Sequence, residues 1–286
     1  MVKIKSFAKL NLGLHIIPKK MPNNHYPIRF INCQINLYDD IIFENINSQV
    51  EFKSNNPNIQ KNKNNLIVKA VDLIKNYSKN KNLGVKINLN KKIPFTGGFS
   101  GGSSNAAATL KATSKLWRLK IPKKKYWEFA DKLGRDVFYS LIGGLCEIGG
   151  DGNIVKKLSY DLPRLWLVVV VPKQMKPSTA WMYQNIDSDK VGKSLKKFQN
   201  LKSAIKNKNM NQIFKNLHND FEFSVEKLYP VIRKIKNDVI ENNAARAMIA
   251  GSGLSVIGFF DTKKGASAAF KKLQNVYNEI LLTYTI

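Results

Sequence analysis

The stretch Ile93-Pro94-Phe95-Thr96-Gly97-Gly98-Phe99-Ser100-Gly101-Gly102-Ser103-Ser104-Asn105-Ala106-Ala107-Ala108 decides how the rest of the chain is read. Ahead of it, apolar Val85, Ile87 and Leu89 alternate with polar neighbours, which predicts a strand over 85–89. Pro94 stops that strand, and four glycines fall within the six residues 97–102. Ser103, Ser104 and Asn105 are good helix N-cap types, and Ala106, Leu110, Thr113 and Trp117 recur at helical spacing. The order is strand, glycine loop, helix N-terminus. That order suits a phosphate, because free N–H groups at a helix start point outward and the helix dipole favours negative charge. Glycine also lets backbone approach an anion closely. The plain alternative is a flexible loop ahead of a capped helix. The stretch is not of Walker type, since no lysine precedes Ser103 or Ser104, and no three glycines fit G-x-G-x-x-G.

The whole chain, 286 residues with 43% hydrophobic content, suffices for one large domain or two medium ones. Cys33 and Cys146 lie far apart with no C-x-x-C spacing, which argues for a reducing compartment and against a disulfide framework. His15, His25 and His218 are scattered, which argues against a zinc site. The net charge of +27 admits two readings. One is a nucleic-acid partner. The other is compositional drift, favoured because the lysines are spread along the whole chain without the aromatic interleaving of a single-strand binder. An anionic substrate would also benefit from the positive field. The longest dense apolar run, 165–171, is too short to span a bilayer. The N-terminal apolar residues are interrupted by Lys9, Asn11 and His15, unlike a secretory segment, so a cytoplasmic protein is expected.

Over 6–16 the period is two. Ala8, Leu10, Leu12, Leu14 and Ile16 share one face; Lys9, Asn11, Gly13 and His15 share the other. Lys9 and Asn11 can therefore aim at one ligand, although a half-exposed strand is the plainer reading. Further strands are expected over 30–35 and 40–46, with Tyr38-Asp39-Asp40 as the turn between them. The polar residues 48–65 read as a surface excursion, with a weak strand signal at 50–52. Helices follow over 66–77, with Asn65 as N-cap, and over 123–133, ending at Gly134. Asp136 then sits before an apolar stretch, where an N-cap role is the plain reading. The character changes near 158–163, where the domain boundary is placed. Beyond it, strands at 165–171, 255–260 and 280–285 alternate with helices, as in an α+β sandwich.

Taken together, Phe7-Ala8-Lys9-Leu10-Asn11-Leu12, the loop-helix 94–108, Leu133-Gly134-Arg135-Asp136-Val137 and Ala250-Gly251-Ser252-Gly253 resemble the GHMP kinase superfamily in content and order. That group includes galactokinase, homoserine kinase and mevalonate kinase. Finer signs resemble its 4-diphosphocytidyl-2-C-methyl-D-erythritol kinase family. They are Ala8-Lys9-Leu10-Asn11-Leu12, Asn65-Leu66-Ile67-Val68-Lys69-Ala70, Ser178-Thr179-Ala180 with Tyr183, and Asn219-Asp220-Phe221-Glu222.

The resemblance implies a two-domain α+β GHMP kinase fold. An N-terminal ribosomal-protein-like domain would span 1–158 and a C-terminal α/β sandwich domain 159–286. The implied activity is transfer of the γ-phosphoryl group of ATP to a tertiary hydroxyl of the cytidylyl-erythritol, in the non-mevalonate isoprenoid route. Asp136 would be the general base and Lys9 the cation that stabilises developing charge. Asn65, Lys91, Pro94, Thr96, Gly97, Gly98, Phe99, Ser100, Gly101, Gly102, Ser103 and Ser104 would bind ATP. Mg²⁺ would be held mainly by phosphates and water, with Ser103 or Ser104 nearby. Asn11, His25, Tyr26, Tyr183, Gly251 and Ser252 would bind the acceptor. The chain would act as a monomer or homodimer on a small molecule, with no specific nucleic-acid partner and no membrane. The alternatives are another small-molecule GHMP kinase, of homoserine or mevalonate type, and a basic nucleic-acid-binding protein.

Some residues depart from the family pattern. Pro27 stands where a cytosine-binding histidine is usual, with His25 two places before it. Thr96 and Ser100 replace small residues, usually glycine; each adds a Cβ that the loop tolerates only where φ stays negative. Arg135 would support the Asp136 carboxylate if near it, or face the phosphates instead.

Overall fold

The computed structural model describes residues 1–22, 25–80, 82–95 and 97–286. Thr96, placed among the nucleotide-loop residues above, lies outside the described residues. The chain divides into two compact units, neither of them a continuous stretch. One comprises Met1–Ala8, Leu37–Phe95 and Ser100–Gly143; the other comprises Lys9–Asn36, Thr96–Phe99 and Gly144–Ile286.

In chain order the elements begin with β1 (Val2–Asn11), β2 (Gly13–Ile16), β3 (Ile28–Asn47) and β4 (Val50–Ser54). Next come α1 (Leu66–Ser78), β5 (Leu83–Asn90), α2 (Gly101–Leu116), α3 (Lys123–Leu133) and α4 (Arg135–Ile142). In the first unit, β5 pairs antiparallel with the later half of β3, Asp40 opposite Asn90, and parallel with β4, Val50 opposite Val85. The weak strand signal at 50–52 is thus a real strand. Ile41 and Phe43 of β3 and Val85, Ile87 and Leu89 of β5 are buried. So are Ile67, Ala70, Val71 and Ile74 of α1, which pack against α2. The buried face of α2 is rich in small residues, Ala106, Ala107, Ala108 and Ala112, which lets helix axes approach closely.

The second unit continues with β6 (Cys146–Gly149), β7 (Ile154–Lys157), β8 (Trp166–Val170), α5 (Thr179–Gln184), α6 (Leu195–Lys206) and α7 (Met210–Asn216). It ends with β9 (His218–Asn219), α8 (Glu222–Leu228), α9 (Pro230–Glu241), β10 (Arg246–Ile249), β11 (Val256–Phe260), α10 (Lys263–Leu273) and β12 (Ile280–Tyr284). Its antiparallel sheet runs β10-β11-β8-β12. Leu167 to Val170 are fully buried at the sheet centre, which explains their unbroken apolar run. Gly258 of β11 makes room for α9, because a Cβ there would sit 2.4 Å from Val239 Cγ1. Among the described residues no helix is long and apolar enough to cross a membrane. Cys33 and Cys146 are buried and form no disulfide, with burial pushing the Cys146 thiol up to about 11.

Four expectations need correction. There is no turn at Tyr38-Asp39-Asp40: β3 runs unbroken through 20 residues. Asp39 is buried there because its carboxylate accepts bonds from Lys92 N (2.7 Å), Ile93 N (2.8 Å) and Lys91 Nζ (2.8 Å). Its polarity serves a partner more than fifty residues away along the chain. The face carrying Lys9, Asn11, Gly13 and His15 is buried rather than half exposed, and the strand breaks at Leu12 into β1 and β2. Helix α2 begins at Gly101, so Ser103, Ser104 and Asn105 lie in its first turns instead of capping it. Asp136 likewise is not a cap: Gly134 precedes α4 and Asp136 is in its first turn.

Candidate active site

In the first unit, the N-cap residue of α2 is Ser100, in the left-handed region at φ 54° and ψ 32°. This overturns the expectation that a Cβ at this position requires negative φ. Its hydroxyl does not cap the helix but donates to Asp136 Oδ2. Arg135 turns instead to Asp131, one helical turn back, and lies over the Phe138 ring at 6.0 Å. Asp136 is half-buried, and among the described residues its Oδ1 has no partner. Ser104 is committed to structure, donating to Phe7 O and accepting from Ser6 Oγ, each at 2.7 Å. Ser103 Oγ has no side-chain partner among the described residues.

A cleft of about 310 Å³ in the same unit is lined by three of the expected nucleotide contacts, Asn65, Lys91 and Gly102, with Gln60, Phe95 and Asn105. Asn65 caps α1 as expected, accepting from Ile67 N at 2.9 Å while its Nδ2 donates to Gln60 O at 3.0 Å. Lys91 is not a free cation: its ammonium bonds Asp39 and Ile93 O, and burial lowers its pKa more than Asp39 restores it. Phe95 is 59% exposed at the cleft, an apolar face beside a wall of amides. Asn105, not anticipated from sequence as a site residue, is buried, and among the described residues its Oδ1 has no partner. Amides with an aromatic face suit a flat heterocycle bearing N–H groups.

In the second unit, Lys9 is only 7% exposed. Its ammonium donates to Asn11 Oδ1 at 2.6 Å, and Asn11 Nδ2 donates to Asn32 Oδ1 at 2.6 Å. Among the described residues Lys9 has no carboxylate partner. A buried charge without a counter-charge costs several kcal/mol by general estimates, so an anionic group placed beside this ammonium would be favoured. Gly251 (φ 54°) lies alongside: a Cβ there would come within 2.9 Å of Asn11 Oδ1 and 3.3 Å of Lys9 Nζ. Asn219 holds this turn, donating to Ile249 O (3.1 Å) and Gly251 O (2.8 Å).

The two glycine turns meet backbone to backbone. A Cβ on Gly98 (φ 87°) would fall 2.0 Å from Ala250 O, and one on Gly253 would fall 2.7 Å from Gly98 Cα. Phe99 O accepts from Lys9 N at 3.1 Å, and the Phe99 ring is an apolar anchor only 1% exposed. Gly98→Ala therefore destabilises the chain by on the order of 3 kcal/mol, through overpacking plus left-handed strain. Urea unfolding of that variant checks this; an unchanged midpoint contradicts it.

The acceptor-side residues also lie in this unit. The rings of Tyr26 and Tyr183 face each other with centroids 6.3 Å apart and planes 15° from parallel, and Tyr183 stands edge-on to Phe221 at 4.9 Å. His25 Nδ1 meets the buried Asp151 Oδ2 at 3.2 Å. Ser252 is bonded by Lys176 Nζ at both its carbonyl and its hydroxyl (2.7 Å each), a lysine that no motif had marked.

Two of the scattered histidines come together in this unit. His15 and His218 stack at 4.7 Å and 18°, and His218 Nε2 meets Asp220 Oδ1 at 2.6 Å. Their donor atoms are close enough to share an ion. However, near-parallel rings do not converge their lone pairs, and Asp220 Oδ2 already accepts from Ile16 N and Gly192 N. Burial, reinforced by His218, lowers His15 to about 4 against an ordinary 6.5. The unfolded chain therefore binds this proton first, and stability falls from about pH 6.5 down to about pH 4, by roughly 3 kcal/mol in all. Below that window the loss from His15 stops. Urea midpoints measured across it should show His15→Phe with a shallower slope than the parent chain; equal slopes contradict the assignment.

Residues 65–145 match the family described as GHMP kinases N terminal domain, and residues 201–279 match GHMP kinases C terminal. The chain is 34% identical over 284 residues to a 4-diphosphocytidyl-2-C-methyl-D-erythritol kinase of Clostridium kluyveri, covering 99% of each. It is 32% identical over 285 residues to one of Alkaliphilus metalliredigens, covering 97% of this chain and 94% of that relative. A crystal structure of 4-(cytidine 5'-diphospho)-2C-methyl-D-erythritol kinase shares the fold, with a TM-score of 0.82 at 22% identity over 99% of both chains.

Proposed function

We infer that this chain, which belongs to the 4-diphosphocytidyl-2-C-methyl-D-erythritol kinase family of GHMP kinases, moves the γ-phosphoryl group of ATP to the 2-hydroxyl of 4-diphosphocytidyl-2-C-methyl-D-erythritol. The observation that carries this reading is Lys9, a buried ammonium bonded to a neutral amide oxygen and, among the described residues, to no carboxylate.

The residues divide the work. The amide-lined cleft of Asn65 and Asn105, with Phe95, takes the adenine. The glycine loop and the opening turn of α2 offer backbone N–H groups to the triphosphate. Asp136 Oδ1 accepts the proton of the acceptor hydroxyl as the oxygen–phosphorus bond forms and the bond to the bridging oxygen breaks, ADP leaving with the electron pair. Lys9 steadies the negative charge spread over the phosphoryl oxygens, held in place by Asn11. Mg²⁺, when bound, would neutralise phosphate charge, and Ser103 is the better placed of the two serines to offer it an oxygen lone pair, because the Ser104 oxygen already accepts from Ser6 Oγ while its proton goes to Phe7 O. Tyr26 and Tyr183 present parallel faces at nearly the spacing a third flat ring needs, which supports a cytosine seat. His25, steadied by Asp151, is a hydrogen-bonding side chain two residues before Pro27, where the family pattern is interrupted.

Calorimetric titration with CDP, and separately with a non-hydrolysable ATP analogue, tests the two-nucleotide reading. CDP is expected to bind at full stoichiometry while the ATP analogue is saturating. Mutually exclusive binding of the two would overturn it.

A further inference from the structure

We propose that Ser100 is a positioning residue for the catalytic base, its hydroxyl holding one oxygen of Asp136 so that the other faces the acceptor. The proposal rests on the reading of Asp136 as base. Three observations carry it. First, Ser100 occupies the left-handed region, where a residue with a Cβ is strained and where a strained residue persists only if its surroundings hold it. Second, its hydroxyl is spent on Asp136 Oδ2 rather than on capping α2, although serine is a preferred cap. Third, among the described residues Asp136 Oδ1 has no partner, and Arg135 pairs with Asp131. A carboxylate on the first turn of a short helix can rotate about two side-chain bonds. Tied at Oδ2, it presents Oδ1 in one direction, and a general base works only within hydrogen-bond reach of its proton.

The glycine loop and the base are thereby joined through one side chain. Ser100 sits between Phe99, whose carbonyl accepts from Lys9 N, and Gly101, the first residue of α2.

Ser100→Gly separates this role from a structural one. Glycine relieves the left-handed strain, so the variant melts no lower than the parent chain, and higher by a few degrees if the strain is fully released. Its kcat nevertheless falls about tenfold with KM for both substrates unchanged, as a mispositioned base requires. Ser100→Ala loses the same activity without the gain in melting temperature. In an Asp136→Asn background, Ser100→Gly costs nothing more, because the hydroxyl acts through the carboxylate. Full turnover in Ser100→Gly while Asp136→Asn is crippled overturns the proposal and leaves the base assignment intact. Normal turnover in Asp136→Asn overturns the base assignment itself.

Discussion

Asp136→Asn is expected to lower kcat by about 10²–10⁴, the range over which a positioned general base contributes. The amide is isosteric, and its oxygen still accepts from the Ser100 hydroxyl, so the short helix α4 and the loop contact survive. What is lost is the ability of the second oxygen to take a proton. Binding of an ATP analogue should be unaltered, because the amide-lined cleft does not include Asp136. Single-turnover phosphoryl transfer measures the step directly. Near-normal transfer would return Asp136 to a role in holding α4 to the loop.

The second large effect falls on Lys9. Lys9→Met keeps length and removes charge, and kcat/KM is expected to fall about 10²–10³ for want of the cation at the phosphoryl oxygens. Stability should change little, because the cost of burying the ammonium disappears together with its bond to Asn11. A large activity loss without a melting loss identifies a charge kept for chemistry. Lys9→Arg is not expected to rescue, since a planar guanidinium cannot occupy a pocket where even a Cβ on Gly251 would lie 3.3 Å from Nζ. Equal losses of activity and stability in Lys9→Met would mark the residue as structural instead.

The residues legible in the sequence are those whose chemistry and partners are local. Lys9 and Asn11 stand two apart on a strand, which puts both side chains on one face. Asn65 precedes an apolar helical run, and its capping bond reaches only to Ile67. What escaped depends on distant partners. Asp39, flanked by Tyr38 and Asp40, looks like part of a turn until the backbone of Lys92 and Ile93 arrives to bond it. Asn219 lies in a recognisable motif, yet its work of pinning Ile249 O and Gly251 O is visible only once the second glycine turn folds against it. His15 and His218 are far apart in the chain, and a parallel pairing of β2 with β9 stacks them. Ser100 is the sharpest case. Nothing in a run of glycines announces that the one serine among them will adopt a glycine-like φ and reach a carboxylate in α4.

The central claim is tested most directly by incubating the purified chain with Mg²⁺ and ATP. 4-Diphosphocytidyl-2-C-methyl-D-erythritol, mevalonate and homoserine are offered in parallel, with ADP and phosphorylated product followed together. The account predicts stoichiometric ADP and product with the cytidylyl acceptor alone. Transfer to mevalonate or homoserine in place of it would contradict the account, keeping the kinase chemistry of Lys9 and Asp136 but removing the cytosine seat of Tyr26 and Tyr183.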